Sequence, residues 1–263
     1  MTIVGKVESL WRYPVKSMRG EELDEAFASY SGIYGDRVFA FRSSANHKGF
    51  PYFTAREQRR LLQYRPRFRY PDKAAHPINL TEAESRNANP LLADLAELFV
   101  DVETPDGQKL AIDDPALIEM LRAGIDQKHQ VSLMQSQRAM TDCRPVSLFS
   151  LQSAQQLAEE TGMPMDKRRF RANVYIDLTS SNGFAENELT GRSVRIGSKV
   201  VMTILERDPR CVIITLDPDT TEQAPAILKK VAQAHDGMAG VYGAVLVEGM
   251  MHKGDPVELL EHT

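Results

Sequence analysis

From residue 172 onward the sequence reads as strand after strand: "ANVYIDL", "SVRIG", "KVVMTILE" and "CVIITL" follow one another, rich in β-branched residues and without a helix between them. Such a run argues against a doubly wound parallel sheet, which alternates strand and helix along its length. A helix enters only afterwards, as "APAILKKVAQAHDG" with Pro225 near its first turn, before the closing strands "VYGAVLVEG" and "DPVELL".

The first half is more mixed. Ile3, Val7 and Leu10 mark a first strand that runs into Trp11-Arg12-Tyr13-Pro14, and "VFAFR" (38–42) is a second strand after the turn-like "GIYGD". Asn89 followed by Pro90 predicts a helix over "PLLADLAELF", from an N-cap and a proline at the first position. "VDVETPDGQKLAI" reads as a hairpin about Asp106-Gly107. Two helices follow, "DPALIEMLRAG" ended by Gly124 and "SLQSAQQLAEETG" capped by Ser150 and stopped by Gly162. The expectation is a β-rich α+β protein with a junction near residues 75–115.

At 263 residues, 42% of them hydrophobic, the chain is long enough for one large domain or two associated ones. A formal charge of -4 argues against generic nucleic-acid binding. No apolar run reaches the length of a membrane span, and the N-terminus lacks the pattern of an export signal. Two cysteines cannot form a disulfide framework, so a reducing cytoplasm is the expected compartment. Nor can they hold an iron–sulfur cluster of the four-cysteine kind.

The common catalytic signatures are missing. There is no G-x-G-x-x-G after a strand, no Walker A loop, no H-E-x-x-H, no C-x-x-C and no G-x-S-x-G. His47, His76, His129, His235, His252 and His262 are scattered, none at metal-ligand spacing from another. What remains is a set of cations and hydroxyls near turns and strand ends. "YPVKS" carries Lys16 and Ser17, "FTAREQ" carries Arg56, and "KRRFRAN" carries Arg171 two residues before Asn173, which predicts one shared face of an extended segment. "DPRC" sets Arg210 beside Cys211, and Pro209 removes a backbone donor at that point.

Arginine forks and lysine suit phosphate and carboxylate oxygens, and converging cations would also activate a neighbouring thiol. Cys143, in "TDCRPVS", has the same Cys–Arg neighbourhood as Cys211 in reverse order, so pattern alone does not choose between them. Each Arg taken singly also reads as a solvated charge, and each cysteine as a small core residue. Asp36 and Arg37 read as an ion pair at a turn, while Asp217 and Glu186 are candidates for local hydrogen bonding near a pocket.

Taken in order, "LWRYPVKSMRG", "GIYGDRVFAF", "FTAREQRRLL", "DCRPVSLFSLQSAQQL", "RRFRANVYIDL", "GFAENELTGRSVRIG", "RCVIITLDPDT" and "GMMHKGDPVEL" resemble the MOSC-domain proteins that carry an N-terminal MOSC β-barrel domain. That family includes amidoxime-reducing components and the C-terminal part of molybdenum cofactor sulfurases. The resemblance implies a MOSC β-barrel domain over 111–263, packed against a smaller β-rich domain over 1–110. It also implies the molybdenum cofactor (Mo-molybdopterin), with Cys211 as the metal ligand and catalytic residue. Lys16, Ser17, Arg56, Ser150, Arg171, Asn173 and Arg210 match its cofactor-binding positions.

The activity implied is reduction of small N-hydroxylated compounds, with electrons from a separate ferredoxin-like, flavoprotein or cytochrome donor and no nucleic-acid or membrane partner. The alternative is a sulfur or cofactor carrier that uses a Cys211 persulfide or thiolate without catalysis of its own.

Overall fold

The computed structural model describes residues 2–47, 49–126 and 128–261; His262 lies outside them. The chain is β-rich and forms two compact units that interleave in sequence. Residues 1–12, 21–33 and 142–263 make the first, and residues 13–20 and 34–141 the second, so 111–141 belong with the second. Among the described residues no helix is long and apolar enough to cross a membrane.

The first unit is built on a closed ring of seven strands. Round the ring they run Val174–Leu178, Val146–Ser150, Met238–Val247, Val200–Pro209, Ser193–Ile196, Pro256–Leu259 and Thr2–Arg12, and Thr2–Arg12 pairs back onto Val174–Leu178. All neighbours are antiparallel except Val146–Ser150 and Val174–Leu178. Closure needs strongly bent strands, and the ladder breaks register where the bending falls. Thr2–Arg12 has two such breaks, and the long pair Val200–Pro209 with Met238–Val247 has three.

Period-two alternation then sorts the side chains. Val7, Leu148, Val174, Ile176, Val194, Ile204 and Val241 fill the interior. Phe149 and Tyr175, between those positions, point outward under the helices Leu151–Thr161 and Pro225–Ala234, where they pack with Phe170, Leu157, Ile227 and Val231. Each such fully buried side chain contributes about 1.5–3 kcal/mol. The stacked rings of Phe149 and Phe170, 4.0 Å apart, fix the approach of the segment before Val174.

The second unit holds two small sheets. Phe39–Ser43 lies between Val131–Gln135 and Tyr52–Phe53, and Arg65–Phe68, Val100–Glu103 and Lys109–Ala111 form a meander whose last turn is the expected hairpin. Helix Pro115–Arg122 starts on Asp114, which accepts from the Ala116 amide at 2.8 Å.

Three local expectations fail. No helix forms over 90–99: Ala93 N, which in a helix capped by Asn89 would bond to the Asn89 carbonyl, donates instead to the Tyr34 hydroxyl. The β-branched run after Cys211 is not a strand. The strand before it extends to Pro209, and Val212–Thr215 is a 3-10 helix. Burial of Ile214 in the helix-covered cluster and the bond from Thr215 Oγ1 back to Val212 O outweigh strand propensity there. Arg171 is not extended either, but sits at φ 52°, ψ 37°, ending a 3-10 helix over Lys167–Phe170.

Gly240 is the tightest point near this region. Its φ is +81°, and a Cβ would lie 2.7 Å from Leu148 O and 3.0 Å from Arg210 Nη2. Gly237 shares the positive φ but faces open space. Gly240→Ala is expected to cost about 2–4 kcal/mol in urea unfolding and Gly237→Ala about 1–2, the difference being the clash with a fixed carbonyl. Equal losses would show that the contact at Leu148 relaxes freely.

Candidate functional site

In the second unit, the loop carrying Lys16 and Ser17 is held from below by the turn after Gly35. Asp36 Oδ1 accepts from Tyr13 N at 2.8 Å, and its other oxygen pairs with Arg37, whose guanidinium lies 4.7 Å from the Tyr13 ring centre. Arg37 N and Phe39 N bond to the carbonyls of Tyr13 and Pro14. The Asp36–Arg37 pair is therefore architectural, as the sequence suggests. Ser17, buried and at φ 65°, makes the bend, and Lys16 is turned inward with only 4% exposure. Its ammonium donates to Met140 O at 2.8 Å and stands over the Tyr52 and Phe50 rings, at 4.4 and 5.5 Å.

Arg56 reaches the same ring, 4.7 Å from the Phe50 centre, and is exposed. Its segment is shaped by Glu57, which accepts from both the amide and the hydroxyl of Thr54. Two cations gathered about one aromatic ring form a compact positive patch. Phe50 and Tyr52, which organise the patch, escaped the search for cations; the signal was the aromatic stretch "FPYF" just before Arg56.

In the first unit the remaining candidates split by burial. Ser150 is fully buried and caps helix Leu151–Thr161: its Oγ accepts from Ser153 N at 3.1 Å and lies 2.7 Å from a Glu186 oxygen. Glu186, also fully buried, accepts from the Ser153 hydroxyl as well, so hydroxyl donors satisfy this carboxylate. Asn173 is a strand staple. Its Oδ1 accepts from the amide and hydroxyl of Ser147, and its Nδ2 donates to Trp11 O, each at 3.2 Å.

Arg210 is equally engaged. Nε donates to Ala239 O at 2.6 Å, Nη1 to Phe170 O at 2.9 Å, and Nη2 pairs with the buried Asp208 at 2.7 Å. Cys211 itself is half-buried at the end of the long strand, with φ −121° and ψ −177°. Pro209 is that strand's last residue, opposite Met238 and just past the register break after Arg207, a place where proline is tolerated.

The two cysteines now differ. Cys143 is exposed, and its thiol is pushed up by partial burial and by the negative charges of Asp142, Asp208 and Glu206. Tyr242, in the same acidic neighbourhood, is pushed strongly upward by burial and Asp208. Cys211 instead follows an arginine whose donors bind two carbonyls and Asp208. Among the described residues no three His, Cys, Asp or Glu side chains could hold a metal between them.

Comparison with known proteins adds the family. The model of the MOSC N-terminal beta barrel domain matches residues 4–156, and that of the MOSC domain matches residues 135–258. Mitochondrial amidoxime reducing component 2 of Macaca fascicularis is 26% identical over 97% of this chain and 83% of its own length. Of solved structures, the YUAD protein from Bacillus subtilis aligns over 99% of this chain and 98% of its own, with 14% identity and a TM-score of 0.49. YiiM from Geobacillus stearothermophilus aligns over 45% and 55%, with 21% identity and a TM-score of 0.36.

A raised thiol holds its proton to higher pH, so Cys143 is expected to be a slow nucleophile. In a Cys211→Ser protein, the rate of Cys143 alkylation by iodoacetamide should rise with pH along a curve whose midpoint lies above the value of about 8.5 for a free thiol. A midpoint at or below that of free cysteine would make the acidic neighbours ineffective.

Proposed function

The chain belongs to the family of the MOSC N-terminal beta barrel domain, and from that premise we propose that it is a molybdenum-cofactor-dependent oxidoreductase that reduces small N-hydroxylated compounds. The observation that carries the reading is Cys211: a half-buried thiol at a strand end, with no rival ligand cluster among the described residues and a second cysteine whose proton is held. That donor set fits a metal already chelated by two dithiolene sulfurs, which needs one soft protein ligand rather than a cage. The relative named for amidoxime reduction supports the substrate class.

The bound cofactor supplies the redox chemistry, converting N–OH to N–H with two electrons and two protons and releasing water. The chain's own residues bind and orient. Lys16 and Arg56, gathered about Phe50, supply positive charge for a phosphorylated pterin, with Ser17 setting the bend beside Lys16. Arg171 offers a further cation on the first unit. Ser150, Asn173 and Arg210 act from beneath, by fixing the helix start, the strand pair and the cysteine turn. The relative's name, a reducing component, supports a separate protein as the electron donor. Its compartment is the cytoplasm.

Production in a host that makes molybdenum cofactor tests this. Wild type and Cys143→Ser should each carry close to one molybdenum per chain and oxidise reduced methyl viologen when benzamidoxime is added, whereas Cys211→Ser should lose both properties. Metal retained by Cys211→Ser would remove Cys211 as ligand. Metal-free protein carrying a Cys211 persulfide, seen as a mass increase of one sulfur, would replace the reductase with a sulfur carrier.

A further inference from the structure

The segment that bears Cys211 has little regular structure to hold it. The strand stops at Pro209, and the 3-10 helix beyond is only Val212–Thr215. Its own bonds are few: Ile214 N to Cys211 O at 3.3 Å, Leu216 N to Ile213 O at 3.0 Å, and the Thr215 hydroxyl to Val212 O. So short a 3-10 turn has poor hydrogen-bond geometry and takes its shape from what it is tied to.

Two buried arginines tie it, from opposite ends, to one neighbouring turn. Arg210, just before the cysteine, reaches Phe170 O at 2.9 Å. In the reverse sense Arg169, from the same Lys167–Phe170 turn, donates Nη1 to Thr215 O at 3.0 Å and Nη2 to Asp217 Oδ2 at 3.1 Å. Asp217 is itself held, its other oxygen accepting from the amides of Asp219 and Thr220. Arg169 is 9% exposed, and its Nε is buried without a hydrogen-bond partner, so the two terminal nitrogens make the tie. The residue that follows this turn is Arg171, in its left-handed conformation.

We propose that Arg169 is a positioning residue for Cys211: with Arg210 it locks the cysteine turn and the Lys167–Phe170 turn into one rigid piece, so that Cys211 and Arg171 are presented in a fixed relation. The consequence for cofactor binding rests on the function proposed above; the lock itself does not. A planar fork is needed because two acceptors, a carbonyl and a carboxylate, must be met at once. Lysine at 169 would keep the charge and meet one of them.

The test uses the full chain with Cys143→Ser, so that Cys211 is the sole thiol, in cofactor-free and in molybdenum-loaded form. In cofactor-free protein, Arg169→Ala should raise the rate of Cys211 alkylation by iodoacetamide at least fivefold at fixed pH. Arg169→Lys and Asp217→Asn should give smaller increases, of about two- to threefold, and they carry the test if Arg169→Ala does not fold. In loaded protein, Arg169→Lys should shift the Mo(V) electron paramagnetic resonance signal, because the thiolate meets the metal from a changed direction, and molybdenum content should fall at least threefold. A purely structural arginine would lower the unfolding midpoint and leave the folded-state thiol rate and the resonance signal at parent values; that result overturns the proposal. If Cys211→Ser keeps its molybdenum, the cofactor reading falls, while a raised thiol rate in Arg169→Lys still supports the lock.

Discussion

Everything in the first unit depends on the return of strand Thr2–Arg12 to Val174–Leu178. That pairing closes the ring, and it does so at close quarters: a Cβ at Gly5 would stand 2.5 Å from Asp177 O. Closure leaves no free edge in the ring and sets which residues face inward. It also brings Trp11 O within reach of Asn173, whose other contacts reach Ser147 on the parallel neighbour. The segment Lys167–Asn173 is thereby anchored at its end, and its arginines work from a fixed base.

The charges around Cys211 are mostly architecture. Arg210 binds two carbonyls and a buried aspartate, and Arg169 a carbonyl and a half-buried aspartate. Burying such groups costs several kcal/mol that their pairing only offsets, so they stabilise little but tolerate few alternative arrangements. A region built this way is stiff, which suits a thiol that must meet a ligand from one direction. The Lys16–Arg56 patch differs. Its cations lean on aromatic rings, and Arg56 remains open to solvent.

The β-rich class, the hairpin about Asp106-Gly107 and the capped helix beginning at Ser150 were legible because they rest on local rules of turns, caps and alternation. The run after Cys211 was misleading because its shape comes from Arg169 and the packing of Ile214, neither of which is local. The segment after Pro90 failed for the same reason, since the distant Tyr34 hydroxyl takes the Ala93 amide. Asn173 and Ser150 stood out in the sequence, but only the folded chain shows their partners to be Ser147 and Glu186. Residue-type patterns identify polar groups with something to do; they do not say to whom each is bound.

The first strand lies between Val174–Leu178 and Pro256–Leu259. Apart from its short pairing with Glu21–Leu23, these partners emerge long after it during synthesis, so most of its backbone waits unpaired. The ring therefore closes late, through pairings of wide sequence separation, which makes folding slow relative to a protein of local contacts. The nascent chain depends in that interval on whatever shields unpaired strands in the cell.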